Sequence, residues 1–277
     1  MDSEGCRWTL NDLRSSLPVE KNRADSFWTR WVLRPLSYPV SWLFLRWGWS
    51  ANAVSYLSAG VAILGGLLLS WPYLKLQVLG AILLNLFAIL DCADGNIARV
   101  TGTTGPWGAW ADALGGYVAY VATLLGAGMA AELASVTLPS VVFCIPEFFW
   151  PRGGWVLLGG LAASANLLMR LSYQQYRTLQ LQRDSSIQLG DVEGESVATN
   201  IEAAKGALHT SGSEIPSEKK ISENLGVTGF LMPLVLLGVL TKTIGCVVLF
   251  YTVLYSGGAF VSILRLAKKV EGWKSSS

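Results

Sequence analysis

Charge is scarce in this sequence. Of its 277 residues only 14% are Asp, Glu, Lys or Arg, while 52% are hydrophobic and the mean hydropathy is +0.42. A soluble domain carries about a quarter charged residues, so this composition excludes an ordinary soluble fold and points to a membrane protein. Histidine is nearly missing too: His209 stands alone in a polar stretch, where it reads as solvated. The four cysteines, Cys6, Cys92, Cys144 and Cys246, form no CxxC pair. Together these absences argue against a zinc site and a histidine-based triad. Any metal must be a hard cation held by carboxylates. No repeat suggests a solenoid or inverted transporter halves, and nothing points to nucleic acid. The first 26 residues lack the apolar region of a signal peptide.

What the chain does have is long apolar runs. A spanning helix needs about 20 mostly apolar residues, and six segments qualify: 53–73, 76–96, 107–131, 153–174, a short one at 225–241, and 244–265. The expected fold is an all-α integral membrane protein with six transmembrane helices and an N-terminal interfacial amphipathic segment. With both termini in the cytoplasm, all but Lys75, Arg152 and Lys242 of the 21 Lys and Arg residues fall on the inner side, as the positive-inside rule expects. Residues 27–49 hold five tryptophans among arginines and two prolines. This pattern predicts a broken element lying on the cytoplasmic leaflet, its rings at headgroup depth and Arg30, Arg34 and Arg46 toward lipid phosphates. Charge within lipid disfavours the alternative of a first transmembrane helix.

Domain limits follow from composition. Residues 1–26 form a polar N-terminal segment, 27–265 one membrane domain, and 266–277 a tail; within the domain, 179–224 is a polar cytoplasmic connector with one short helix near 194–208. Glycines within the spans, among them Gly60, Gly65, Gly66, Gly153, Gly154, Gly159 and Gly160, read as positions of close helix packing.

The stretch "DCADGNIARVTGTTGPWGAWADALGG", residues 91–116, begins on the end of an apolar run. Ionisable residues there are expensive and hence functional candidates. Asp91 and Asp94, three apart, share a helix face, and the loop through Gly102, Gly105 and Pro106 turns the chain back so that Asp112 comes across from them. Three clustered carboxylates repel unless a cation compensates; Mg²⁺ or Mn²⁺ takes oxygen ligands and keeps places for substrate phosphate. The blander account, helix caps or pairing with Arg99 and Arg170, serves one aspartate better than three. Arg170, near the inner end of the fourth span, is a candidate for a bidentate grip on phosphate, with snorkelling as its structural alternative.

Asp91, Asp94, Gly95, Ala98, Arg99, Gly108 and Asp112 occupy seven of the eight fixed positions of D-x2-D-G-x2-A-R-x8-G-x3-D-x3-D. In this the chain resembles the CDP-alcohol phosphatidyltransferase family, as does "WSANAVSYLS" at 49–58, with Ala51 where proline is usual. The resemblance covers roughly residues 27–265. It implies transfer of a phosphatidyl or other phospho-alcohol group from a CDP-linked donor, CDP-diacylglycerol foremost, to an acceptor alcohol with release of CMP, in phospholipid or surface-glycan biosynthesis. It implies Asp91, Asp94 and Asp112 as ligands of Mg²⁺ or Mn²⁺, Asp112 as a catalytic position, and Asp94, Gly95, Ala98, Arg99 and Gly108 around the nucleotide. It further implies membrane lipids as partners, a homodimer, and a bacterial inner membrane with the active site cytoplasmic. The acceptor stays open among glycerol phosphate, inositol phosphate, serine and sugar alcohols.

The eighth position is Gly116. The family's aspartate there is proposed to act as general base and to help bind a second metal; glycine can do neither. A divergent transferase, a pseudoenzyme that still binds a CDP-lipid or partner, and a transporter component remain as readings. Glu147 falls toward the opposite face and is a poor substitute.

Overall fold

The structure, a computed structural model, describes residues 8–137, 152–190 and 225–274. Glu147, His209 and most of the expected connector lie outside them. Among the described residues there are helices and no strands. Two short helices, α1 (Leu10–Ser15) and α2 (Val19–Ala24), precede a π-helical segment, Thr29–Leu33, and α3 (Arg34–Arg46). Four long helices follow: α4 (Ala51–Leu69), α5 (Leu74–Thr101), α6 (Pro106–Thr137) and α7 (Gly154–Gly190). A second π-helical segment, Val227–Leu231, leads into α8 (Met232–Leu240), and α9 (Ile244–Lys274) ends the described chain.

Five of these, α4, α5, α6, α7 and α9, are long and apolar enough to cross a membrane. Large apolar side chains such as Leu64, Leu67, Ile82, Leu157, Phe250, Val253 and Phe260 point outward from them, as lipid-facing residues do. The expected fifth of six spans differs. Its apolar helix covers Thr228–Leu240, 13 residues of about 1.5 Å rise each and hence about 20 Å, against a hydrocarbon core of about 30 Å. Within it Gly229 has non-helical φ −92°, ψ −128°, which interrupts even this short element. Asn85 ties this short element to α5 by donating to the carbonyls of Ala81 and Met232.

The helix ends follow from the sequence. Ser50 caps α4 by accepting from the Ala53 N–H. Gly102, at φ +68°, closes α5 in the left-handed conformation that glycine adopts without strain. Pro106, whose missing N–H has no helical partner there, begins α6. Glu132 of α6 accepts from the Gly153 and Trp155 N–H groups and so caps α7. α7 continues to Gly190, into the stretch composed like a connector.

Small residues set the packing. A Cβ on Gly80 would lie 2.5 Å from the carbonyl oxygen of Gly65, and one on Gly66 would lie 2.6 Å from that of Ala122. The first contact joins α4 to α5, the second α4 to α6; Gly128 and Gly159 do the same between α6 and α7. Without a hydrophobic effect inside lipid, backbone proximity of this kind supplies the dispersion contacts that associate helices. Gly60, by contrast, faces open space.

The tryptophan-rich segment is helical rather than broken. Pro35 falls in the first turn of α3, where its ring is tolerated, and Pro39 sits inside at the loss of one backbone hydrogen bond. Phe27, Trp31, Trp47 and Trp49 are exposed. Arg34, expected to face lipid phosphate beside Arg30 and Arg46, is buried instead. It turns inward because Asp25 and Asn96 offer it acceptors there.

Candidate functional site

The end of the bundle where α4 begins, α5 ends and α6 begins encloses a cavity of about 460 Å³, within the usual range for small-molecule sites. Asp91, Asp94, Gly95, Ala98, Arg99, Gly108 and Asp112 all line it. Helical periodicity explains the convergence. Positions 91, 94, 95, 98 and 99 fall on one face of the last turns of α5, and 108 and 112 on one face of the first turns of α6. The Gly102 cap and the short loop to Pro106 turn the second face toward the first.

Burial differs among the acids. Asp94 is 4% exposed and accepts a hydrogen bond from Ser55 of α4; Asp112 is open to the cavity. A Cβ on Gly95 would come within 3.3 Å of the Arg99 guanidinium, and one on Gly108 within 3.6 Å of Asn52 Oδ1. A side chain at Gly95 would therefore press on Arg99, while one at Gly108 would begin in ordinary contact with Asn52 and extend into the ligand space. Arg99 Nη2 donates to Asn96 Oδ1 at 2.6 Å, while its Nε is buried without a partner. Asn96, fully buried, also donates to Ser37 and Ser41 and so fastens α3 against α5.

Residues outside the motif complete the walls. Asn52 and Ser55 come from α4, Thr228 from the segment before α8, and Lys21, Asp25, Thr29 and Arg34 from the N-terminal region. Arg34 and Asp25 form a two-pronged ion pair, Nε to Oδ2 at 2.7 Å and Nη2 to Oδ1 at 3.2 Å. Desolvation first, then the Arg99 and Arg34 charges, push the Lys21 pKa below the ordinary lysine value. Of these, Arg34 was expected toward lipid and Asn52 and Ser55 fall in the 49–58 stretch, whereas Lys21 and Asp25 lie in 1–26, which reads only as polar. The signal is long-range: Thr29 donates to the Thr228 carbonyl at 2.6 Å across 199 positions.

Two candidates stand apart from the cavity lining. Arg170 donates to Tyr120 OH at 2.8 Å and to Asn166 Oδ1 at 3.1 Å, with its guanidinium 4.5 Å from the Tyr120 ring centroid. Gly116, one turn beyond Asp112, has open space where a Cβ would be.

The donor set suits a hard divalent cation, since three carboxylates border one cavity. Among the described residues no three His, Cys, Asp or Glu side chains are already gathered as a metal cluster. The carboxylates share a wall without converging on one point.

Residues 49–169 match the family model described as CDP-alcohol phosphatidyltransferase. The matched region takes in a little under half of the chain and contains all seven motif positions. It covers α4, α5, α6 and the first part of α7, and the family is one of transferases that move a phospho-alcohol group from a CDP-alcohol to an acceptor. No curated protein matches the chain.

Proposed function

We propose that this membrane protein transfers a phosphatidyl group from CDP-diacylglycerol to an acceptor alcohol and releases CMP at the cytoplasmic face. The observation that supports this most strongly is that all seven motif positions line one cavity at one end of the bundle. In the reaction the acceptor oxygen bonds to the phosphatidyl phosphorus, the bond from that phosphorus to CMP breaks, and the hydroxyl proton departs. Asp91, Asp94 and Asp112 would hold Mg²⁺ or Mn²⁺, which neutralises the diphosphate and stabilises the departing CMP. Ser55 orients the Asp94 carboxylate, and the absence of side chains at Gly95 and Gly108 leaves room for the nucleotide against the helix backbones. The skew of Lys and Arg supports the cytoplasmic orientation of this end, and the exposed rings of Phe27, Trp31, Trp47 and Trp49 suit the headgroup layer beside it.

The test is CMP release from CDP-diacylglycerol by the purified protein with Mg²⁺ or Mn²⁺ across a panel of acceptor alcohols. Release should occur with one acceptor class and should fall at least about a hundredfold in Asp94→Asn, which keeps the shape of the side chain and removes its charge. Gly116 favours one other reading. If CDP binds yet no acceptor elicits CMP, the protein is a nucleotide-binding pseudoenzyme.

A further inference from the structure

Three cations line the cavity, and they are not equivalent. Arg34 is paired with Asp25, and Arg99 donates to Asn96. The Lys21 ammonium makes no hydrogen bond or ion pair among the described residues, so its three donors remain available. Arg99 supplies a second observation: it lines the same cavity, and its Nε is buried and unpartnered. A buried donor without an acceptor is costly, and a ligand oxygen removes that cost. Lys21 is also held in place. The ion pair at Asp25 anchors the end of α2, and Ser26 and Thr29 both donate to the Thr228 carbonyl.

We propose that Lys21 Nζ and Arg99 Nε form a phosphate-binding subsite, with Lys21 the residue through which the N-terminal segment recognises a substrate phosphate. The proposal rests on the transfer reading above for its substrates. The chemistry is that of a compact ammonium beside a guanidinium N–H, a charge-assisted pair suited to phosphoryl oxygens. Balancing the carboxylates is the competing use of Lys21. Yet no ion pair joins it to Asp91, Asp94 or Asp112, and a divalent cation bound by those acids would neutralise them without it. Lys21 also lies outside the matched residues 49–169, so it adds a contact that the matched region does not contain. The phosphate has two sources: the diphosphate of the CDP-linked donor, or a phosphate carried by the acceptor.

The test uses the full chain in lipid nanodiscs with Mg²⁺ and measures binding of CDP, and separately of inorganic phosphate to the CMP-saturated protein. Wild type is compared with Lys21→Met and Lys21→Arg. Lys21→Met loses no hydrogen bond or close ion pair, only a longer-range attraction to Asp25 and Asp112, so melting without ligand, measured in parallel, should change little. Lys21→Met should weaken one of the two ligands at least about tenfold, with Lys21→Arg recovering most of the loss. Weakened CDP assigns the subsite to the donor, and weakened phosphate assigns it to the acceptor. Equal binding of both ligands by Lys21→Met and wild type overturns the proposal, as does wild type that binds neither. The transfer reading fails separately: Lys21-dependent binding with no CMP released for any acceptor removes transfer and keeps the subsite.

Discussion

Replacing Arg34 with methionine leaves the Asp25 carboxylate without the two donors that now hold it at 2.7 and 3.2 Å. Both side chains are largely enclosed, at 7% and 14% exposed. Removing one partner of a buried pair costs about 3 to 5 kcal/mol, because a desolvated charge is stranded. Here the lower end applies, since Asp25 keeps some contact with solvent, and we expect about 3 kcal/mol. The loss should be concentrated where the pair acts, in the docking of the N-terminal segment on the cavity. At about 1.4 kcal/mol per tenfold, the amides of α2 and the Thr29–Leu33 segment should exchange hydrogen about a hundredfold faster in Arg34→Met. Those of α4 and α5 should change little. Adding Asp25→Asn to Arg34→Met removes the stranded charge and should recover part of the effect. Exchange in α2 within about threefold of wild type would refute the claim that this pair holds the N-terminal segment down.

Three further substitutions probe the site and its frame. Gly116→Asp places a carboxylate where a Cβ meets no atom within 4 Å, so it meets no clash, and its charge should cost at most about 3 kcal/mol on a spanning helix. CMP release should rise by at least about tenfold, as expected when a general base is supplied; a folded variant with unchanged release would show that the hydroxyl proton leaves by another route. Gly66→Val drives side-chain atoms into Ala122, whose carbonyl oxygen would stand 2.6 Å from the new Cβ. It should destabilise by more than about 2 kcal/mol, read as a lower midpoint of detergent-induced unfolding. Gly60→Ala, facing open space, should leave that midpoint unchanged or raise it slightly.

The parts of this protein legible in the sequence are those encoded over short distances. Hydrophobic runs located the starts of the five long helices to within two residues, because each run alone must satisfy the lipid, but not their ends, since α7 runs on to Gly190 and α9 to Lys274 in polar sequence that no lipid constrains. The Asp91 to Asp112 string was legible for the same reason: helical repeat and one tight loop carry its residues to a common wall. The short α8 was less so, since Val227–Leu240 is apolar enough to look like a span and only the geometry at Gly229 shows where the helix is cut. Arg34 was misassigned to lipid because its neighbours in sequence are tryptophans. Its neighbours in space, Asp25 and Asn96, are nine and 62 positions away.

That difference in encoding divides the cavity. Its acidic wall comes from residues inside 49–169, the matched region, and is fixed by backbone periodicity. Its N-terminal wall is fixed by side-chain contacts between distant segments: Asp25 with Arg34, and Ser26 and Thr29 with the Thr228 carbonyl. A wall built by periodicity tolerates little change in its spacing, because moving one acid by a single position rotates it about 100° around the helix. A wall built by docking can change its reading residue without disturbing the acids opposite. On the proposed reading, transfer chemistry therefore belongs to the first wall, and discrimination among substrates to the second. On that division, exchanging Lys21 should alter which phosphate-bearing ligand is held, while any CMP release that Lys21→Met retains should still be lost when Asp94→Asn is added.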